Sequence, residues 1–554
     1  MAPLNFASLS VEIKSLIVAH VTRPTDLKNL CLTSKQLHEI AVRPLYNEVT
    51  LDIGSPQDIL LSSFLSPNNI GLKHIKKVDL YLATVLDPCN QLQQANFTIR
   101  LLIEFLPENI LEKFSWHPWE LFSGENLLLL YKKQRRMKWM EAIAMDRPMV
   151  AELEKLPQID ECFSEVRKLG LYPDSRAVLD YCQFLVSRTK NIEKITLHAS
   201  FDDLASDPIP PRELNDSSGG PGLITSSIFS HMMPFDKCTP MSLRELTLQK
   251  VSLKFCQDTY TKIIEFSNVM SLRVFLCPGA ECFFAELSKS SKLPVRLETL
   301  EFKHEDNNEH DGLSTLDNFL CLTSGLRSLA LDIANVKDLP APAGIVRHAS
   351  TLKQLNVHAG KGDMDCQDDE IVYSIEHFEQ ICKACTAIEQ LSVAFPATCA
   401  VRSNTENFSA FETAVGDIPS LITLNITTWP SSSTSSSTSS RLPQKIYEHL
   451  LQGMAQQGFE KSIKHAEENK RSSRLAVIAF GSSDKVYDRE DSKHQMIFAK
   501  GKQPDLLGNE RYTAIQVSWC LRKFVESRSD ILDFSLSRSC RPPIREELPS
   551  DDSI

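Results

Sequence analysis

A chain of 554 residues with 42% hydrophobic and 24% charged side chains has ordinary globular proportions, which excludes a wholly disordered protein. Its formal net charge of −11, from 71 acidic against 60 basic side chains, argues against nucleic acid as a partner, because phosphate binding needs a concentrated basic face. No apolar run reaches the roughly 18 residues of a membrane span, and Met1-Ala2-Pro3-Leu4-Asn5 lacks the basic flank of a signal peptide. The expectation is an intracellular protein, cytoplasmic or nuclear, with no membrane partner.

The first fifty residues predict three short helices. Leu9, Ile13, Leu16 and Ile17 fall on one helical stripe, which Pro24 ends. Thr25 or Asp26 can cap a second helix carrying Leu27, Leu30 and Cys31, and Ser34 a third carrying Leu37, Ile40 and Ala41, stopped before Pro44. So small a bundle needs a partner or serves as the cap of a larger array. The order Leu9-x-x-Glu12-Ile13-x-x-x-Ile17, then Asp26-Leu27-x-x-Leu30-x-Leu32, then Ser34-Lys35-x-Leu37-x-x-x-Ala41 and Leu45-Tyr46 resembles the F-box in the form common in fungal F-box proteins. Ser10 stands where that family usually has proline. The resemblance covers about residues 5 to 50, and the expected domain is 1–50. It implies binding to the Skp-type adaptor and cullin of a Skp/cullin/F-box ubiquitin ligase. Leu9, Ile13, Leu16, Ile17, Leu27, Leu30, Leu32 and Leu37 are then adaptor-facing or F-box core positions.

Beyond residue 70 one short pattern, hydrophobic-x-x-hydrophobic-x-hydrophobic, recurs. Copies begin at Ile75, Leu111, Val166, Ile192, Leu243, Leu297, Leu326, Leu352, Ile388 and Leu421, with weaker ones at Leu272, Leu475 and Ile531 and the weakest at Met137. First positions 243, 272, 297, 326 and 352 are spaced by 29, 25, 29 and 26 residues. Segments such as Phe97–Leu106 and Ala177–Val186 have apolar residues at three and four, so each unit reads as a helix followed by a short strand. Such a unit buries its apolar side only against its neighbours. The fold class expected is therefore α/β: an N-terminal three-helix F-box, then an irregular solenoid of short parallel strands alternating with helices over 70–540, and a flexible tail at 541–554.

The array resembles leucine-rich repeat proteins. That family usually places Asn or Cys three residues past the last strand leucine, where this chain has Val251, Glu305, Ala334, Gly360 and Pro396. No asparagine ladder is expected, and the turns after the strands should vary. The 51-residue interval from Ile192 to Leu243 holds an insertion near 202–240 or one degenerate copy, and Ser431–Ser440 reads as a hydroxyl-rich loop within 430–441.

Tempting sites have plainer readings. Cys382-Lys-Ala-Cys385 has no second ligand pair for zinc and reads as helix-buried thiols. Lys132–Lys138 is the densest basic run and reads as the solvated face of a helix rather than an import signal. Asp363-Met-Asp365-Cys-Gln367 begins like a calcium loop, but Asp368 and Ser374 stand where Gly and Glu are needed. No nucleophile elbow, zincin, P-loop or dinucleotide motif occurs, so neither catalysis nor a cofactor is expected.

The functional expectation is a non-catalytic recognition subunit: the F-box binds the adaptor, and the repeats hold a protein target near a charged conjugating enzyme. Alternate strand side chains point opposite ways, so with the leucines inward Glu245, Thr247, Gln249, Thr299, Glu301, Lys303, Gln354, Asn356, His358, Thr423, Asn425 and Thr427 should be exposed toward the target. A repeat scaffold that binds a partner without directing degradation is the alternative.

Overall fold

The computed structural model describes residues 6–21, 24–52, 63–66, 68–81, 88–116, 122–142, 147–155, 159–199, 209, 221–256, 258–289, 291–306, 311–361, 371–401, 405–431, 444–481, 495–504, 510–517 and 530–533. They fall into two compact units, one up to Leu243 and one from Arg244.

The first unit opens with helices α1 (Val11–Ala19), α2 (Pro24–Thr33) and α3 (Lys35–Asn47). Ser10 caps α1 by accepting from Ile13 N, which satisfies an otherwise orphaned donor. Ser34 caps α3 in the same way from Leu37 N, as its position predicts. Two expected boundaries shift. Pro24 opens α2 instead of merely ending α1, placing Thr25 and Asp26 inside the first turn, where proline's fixed φ suits a helix and no donor is lost. Pro44 lies within α3 and does not stop it. Leu45, beyond Pro44, packs on the bundle core of Val18, Leu27, Ile40 and Ala41, and that burial offsets one lost helix bond.

Six parallel strands follow and pair in chain order: β1 (Glu48–Asp52), β2 (Lys77–Tyr81), β3 (Lys113–Trp116), β4 (Trp139–Glu141), β5 (Lys168–Leu171) and β6 (Lys194–His198). Helices Pro88–Phe105, Gly124–Lys133, Arg147–Glu154 and Arg176–Arg188 lie between them in sequence. β1 begins the array within the first fifty residues, ahead of the expected start near 70. Its pattern is Tyr46-x-x-Val49-x-Leu51, and Val49 and Leu51 pair in register with Val78 and Leu80. An aromatic first position inside α3 hides this copy. The weakest copy, at Met137, is a true strand whose Met140 pairs with Leu169.

The second unit carries eight parallel strands: β7 (Glu245–Gln249), β8 (Ser271–Phe275), β9 (Thr299–Glu305), β10 (Ser328–Ala334), β11 (Gln354–Ala359), β12 (Gln390–Val393), β13 (Thr423–Ile426) and β14 (Val477–Phe480). Two antiparallel strands then end the sheet, β15 (Met496–Pro504) and β16 (Glu510–Val517), which the repeat pattern does not predict. The copy expected at Ile531 is a 3₁₀ turn, Asp530–Asp533, not a strand. The copy read from Leu272 is out of frame: Leu272 pairs with Leu246, so the repeat begins at Val269, and the spacings from 243 through 269 to 297 are 26 and 28 residues.

The helices of this unit pack neighbour on neighbour, and phenylalanines fill the gap between helix and strand. Phe284 packs edge-on against Phe302 and Phe319, and Phe378 stacks on Phe411 with centroids 4.4 Å apart. Val251 and Ala334, at two of the asparagine-ladder positions, are buried apolar residues.

A backbone ladder joins successive repeats just ahead of their strands. In each repeat the carbonyl of the second motif position accepts two successive N–H groups from the next repeat. In the first unit Lys76 O accepts from Glu112 and Lys113, Glu112 O from Lys138 and Trp139, Lys138 O from Arg167 and Lys168, and Arg167 O from Glu193 and Lys194. In the second, Arg244, Met270, Glu298, Arg327, Lys353, Glu389 and Ile422 continue the same pattern to Ala476 and Val477.

The basic run departs in part from a helix face. The helix ends at Lys133, and Arg135, Arg136 and Lys138 pair with Glu161, Glu165 and Glu112 in neighbouring repeats. Cys382 and Cys385 are both fully buried at the end of helix Ile375–Ala384, as expected, and burial pushes the Cys385 thiol up to about 11. The Ser/Thr run at 432–440, most of Asp202–Pro221, the acidic segment 363–368 and the 541–554 tail lie outside the described residues.

Candidate protein-docking surfaces

In the first unit the bundle core sorts the eight adaptor candidates. Leu27 is buried with Val18, Ile40 and Ala41, and Leu30 and Leu37 pack half-buried against them. Leu9 is half-buried ahead of α1. Ile13, Leu16, Ile17 and Leu32 are exposed, Leu16 at 66% and Leu32 at 77%. Val11, which the sequence stripe omits, is exposed too. The inward positions of α1 are Lys14 and Val18, one turn apart, and the buried Lys14 ammonium donates to Gln36 Oε1 at 2.8 Å. α1 thus carries an exposed apolar stripe, Ile13, Leu16 and Ile17, on the side away from Lys14 and Val18.

In the second unit the strand register lines up three rows of side chains on the face opposite the leucines. One runs Glu245, Ser271, Thr299, Ser328, Gln354, Gln390 and Thr423. The next runs Thr247, Arg273, Glu301, Ala330, Asn356, Ser392 and Asn425. The third includes Gln249, Phe275, Lys303, Asp332 and His358.

The expectation that these side chains are exposed is corrected. Thr247, Gln249, Glu301, Thr423, Asn425 and Thr427 are buried, while Glu245, Thr299, Lys303, Gln354, Asn356 and His358 are half-buried. Strands about 4.8 Å apart set the side chains of one row against each other, and the long ones pair instead of reaching out. Arg273 Nε lies 2.7 Å from Glu301 Oε1, and Lys303 Nζ lies 3.0 Å from Asp332 Oδ2. Burial by itself would raise the Asp332 carboxyl, but the hydrogen bond and charge of His358 and the ammonium of Lys303 outweigh it and hold Asp332 below the usual carboxylate range. Asn425 donates to Ser392 Oγ at 2.9 Å.

From β12 onward the face is also covered. The 3₁₀ turn Asp530–Asp533 lies on β12 and β13, with Ile531 N donating to Gln390 Oε1 at 2.6 Å. Ile531 and Leu532 are buried in one cluster with Val477, Ala479 and Ile497. Burying two such side chains contributes about 1.5–3 kcal/mol each.

Sequence reasoning missed this cover because an isolated Ile-Leu pair carries no partner signal. A detectable hint was the change of face chemistry: where earlier strands place Arg273, Glu301 or Asn425, β14 places Val477 and Ala479. Among the described residues no group of three His, Cys, Asp or Glu side chains is disposed to hold a metal. No helix among them is long and apolar enough to cross a membrane. No protein-family model matches the chain, and no curated protein matches it.

Proposed function

We propose that this chain is the non-catalytic substrate-recognition subunit of a Skp/cullin/F-box ubiquitin ligase, acting in the cytoplasm or nucleus. α1–α3 dock the Skp-type adaptor, and the strand face of the repeats holds a protein target. The observation that carries this reading is the outward apolar stripe of α1, Ile13, Leu16 and Ile17, together with the exposed Leu32 of α2, on a bundle whose core is already complete without them. On the target side Glu245, Thr299, Lys303, Gln354, Asn356 and His358 are the half-buried members of the expected set.

The test is co-purification of the full chain with a recombinant fungal Skp-type adaptor and cullin. The unaltered chain should capture both. The double variant Leu16→Asp, Leu32→Asp should lose capture while keeping its circular dichroism and melting temperature. Failure of the unaltered chain to bind the adaptor ends the ligase reading. If the adaptor binds but no cellular protein accumulates when residues 1–50 are removed, the scaffold reading replaces degradation.

A further inference from the structure

In the first unit, the end of helix Arg176–Arg188 and the 3₁₀ turns Ser230–Met232 and Phe235–Lys237 border an open cleft of about 420 Å³. That volume is enough for one or two side chains of a ligand. Met232, Met233 and Met241 give the cleft an apolar wall, and thioether side chains adapt to many apolar shapes. Lys190 and Lys237 line the same cleft, and no Asp or Glu does.

The charge of these two lysines is uncompensated. Elsewhere in this unit basic side chains meet carboxylates of a neighbouring repeat: Lys138 pairs with Glu112, and Arg188, two residues before Lys190, lies 2.7 Å from Asp160. Neither Lys190 nor Lys237 has such a partner among the described residues. The negative end of the helix does not replace one, because the Ser187 and Thr189 hydroxyls donate to the Phe184 and Leu185 carbonyls. Burial lowers the His231 imidazole, so at neutral pH the two ammonium groups supply the positive charge here. In a chain of net charge −11, a cleft with two cations and no anion is a local exception.

We infer that this cleft binds an acidic peptide segment of a partner protein, one in which an apolar side chain lies beside carboxylates. The apolar side chain fills the space along the methionines, and the carboxylates pair with Lys190 and Lys237. Two cations are too few to hold a polynucleotide, whose affinity grows with the number of phosphates neutralised. They suffice to select and orient a short acidic segment whose apolar residue supplies contact area. None of the lining residues belongs to α1–α3 or to β1–β16, so the inference is independent of the adaptor and target surfaces proposed above.

The probe is the peptide Gly-Glu-Leu-Glu-Gly, with an uncharged fluorophore at its N-terminus and an amide at its C-terminus, titrated against the full chain at low ionic strength. It should bind saturably, and the uncharged Gly-Gln-Leu-Gln-Gly should bind about tenfold more weakly or worse. The double variant Lys190→Glu, Lys237→Glu alters two exposed side chains, so it should keep its melting temperature and lose a similar factor. Met233→Asp, also at an exposed position, should weaken binding with both lysines intact. Hydrogen exchange on the complex should show new protection at 186–190 and 231–241. No saturable binding, equal binding of the uncharged peptide, undiminished binding by either variant, or protection only elsewhere overturns the proposal. So does equally tight binding of a single-stranded oligonucleotide, which would make the cleft a general anion patch. If a variant loses its fold, the exchange pattern on the unaltered chain decides.

Discussion

His358 Nδ1 donates to Asp332 Oδ1 across 2.7 Å, joining two residues that face each other in register on neighbouring strands. Lys303, opposite Asp332 on the other side, binds its second oxygen. The carboxylate is 2% exposed and carries two partners, so it is the electrostatic keystone of β9, β10 and β11. Removing one member of a buried pair leaves the others uncompensated. Asp332→Ala should cost about 3–5 kcal/mol, read from urea unfolding at pH 7. A cost below about 1 kcal/mol would show that the cluster is solvated in solution.

The N-terminal bundle separates stability from docking. Leu27→Ala, in the core, should lower stability by about 2–5 kcal/mol. Leu16→Ala, on the exposed stripe, should change it by no more than about 0.5 kcal/mol. Thermal or urea unfolding of both variants checks the contrast, and equal losses would mean that the stripe is packed in the free chain.

Two glycines should respond in opposite directions. Gly279, before helix Ala280–Leu287, has φ of +83° and would place a Cβ 2.5 Å from the Lys254 backbone nitrogen. Gly279→Ala is therefore expected to cost about 1–3 kcal/mol or more. Gly453 lies inside helix Gln444–Glu468 with open space around its would-be Cβ, and Gly453→Ala should stabilise by about 0.5–1 kcal/mol. Melting temperatures that fall for the first and rise for the second would agree with both backbone arguments.

Acid should weaken the second unit through His348. Burial pushes this imidazole down to about 4, and its Nδ1 accepts from Leu326 N. A histidine with a depressed folded pKa stabilises fully above its unfolded value near 6.5, and the contribution is lost as pH falls from there toward 4. Between pH 7 and 5 this single group should remove about 2 kcal/mol. His348→Asn keeps an acceptor for Leu326 and cannot titrate, so its stability should fall less over that interval. Burial also lowers His304, so some acid sensitivity should persist in the variant. Unfolding curves at the two pH values test this, and identical slopes for variant and unaltered chain would exclude His348.

The repeat was legible because leucine spacing reports directly on stacking: a strand with two inward apolar residues and one preceding them must meet neighbours of the same kind. Even the weakest copy, at Met137, became a strand. Frame was less legible, since Leu272 and Val269 both begin acceptable apolar patterns and only pairing with Leu246 chooses between them. The copy at Tyr46 was hidden by an aromatic first position and by its overlap with α3. The antiparallel β15 and β16 carried no repeat signal at all.

The sequence by itself determined the α/β repeat class, the capping serine Ser34, and the apolar stripe of α1 through Ile13, Leu16 and Ile17, because each follows from local spacing and local hydrogen bonding. Tertiary structure alone decided which side of α1 faces the core and which strand residues pair instead of reaching solvent. It also decided that Ile531 and Leu532 lie over Val477, Ala479 and Ile497. Those outcomes depend on which surfaces meet across long stretches of chain, and an amino-acid pattern specifies that a surface must be covered without naming what covers it.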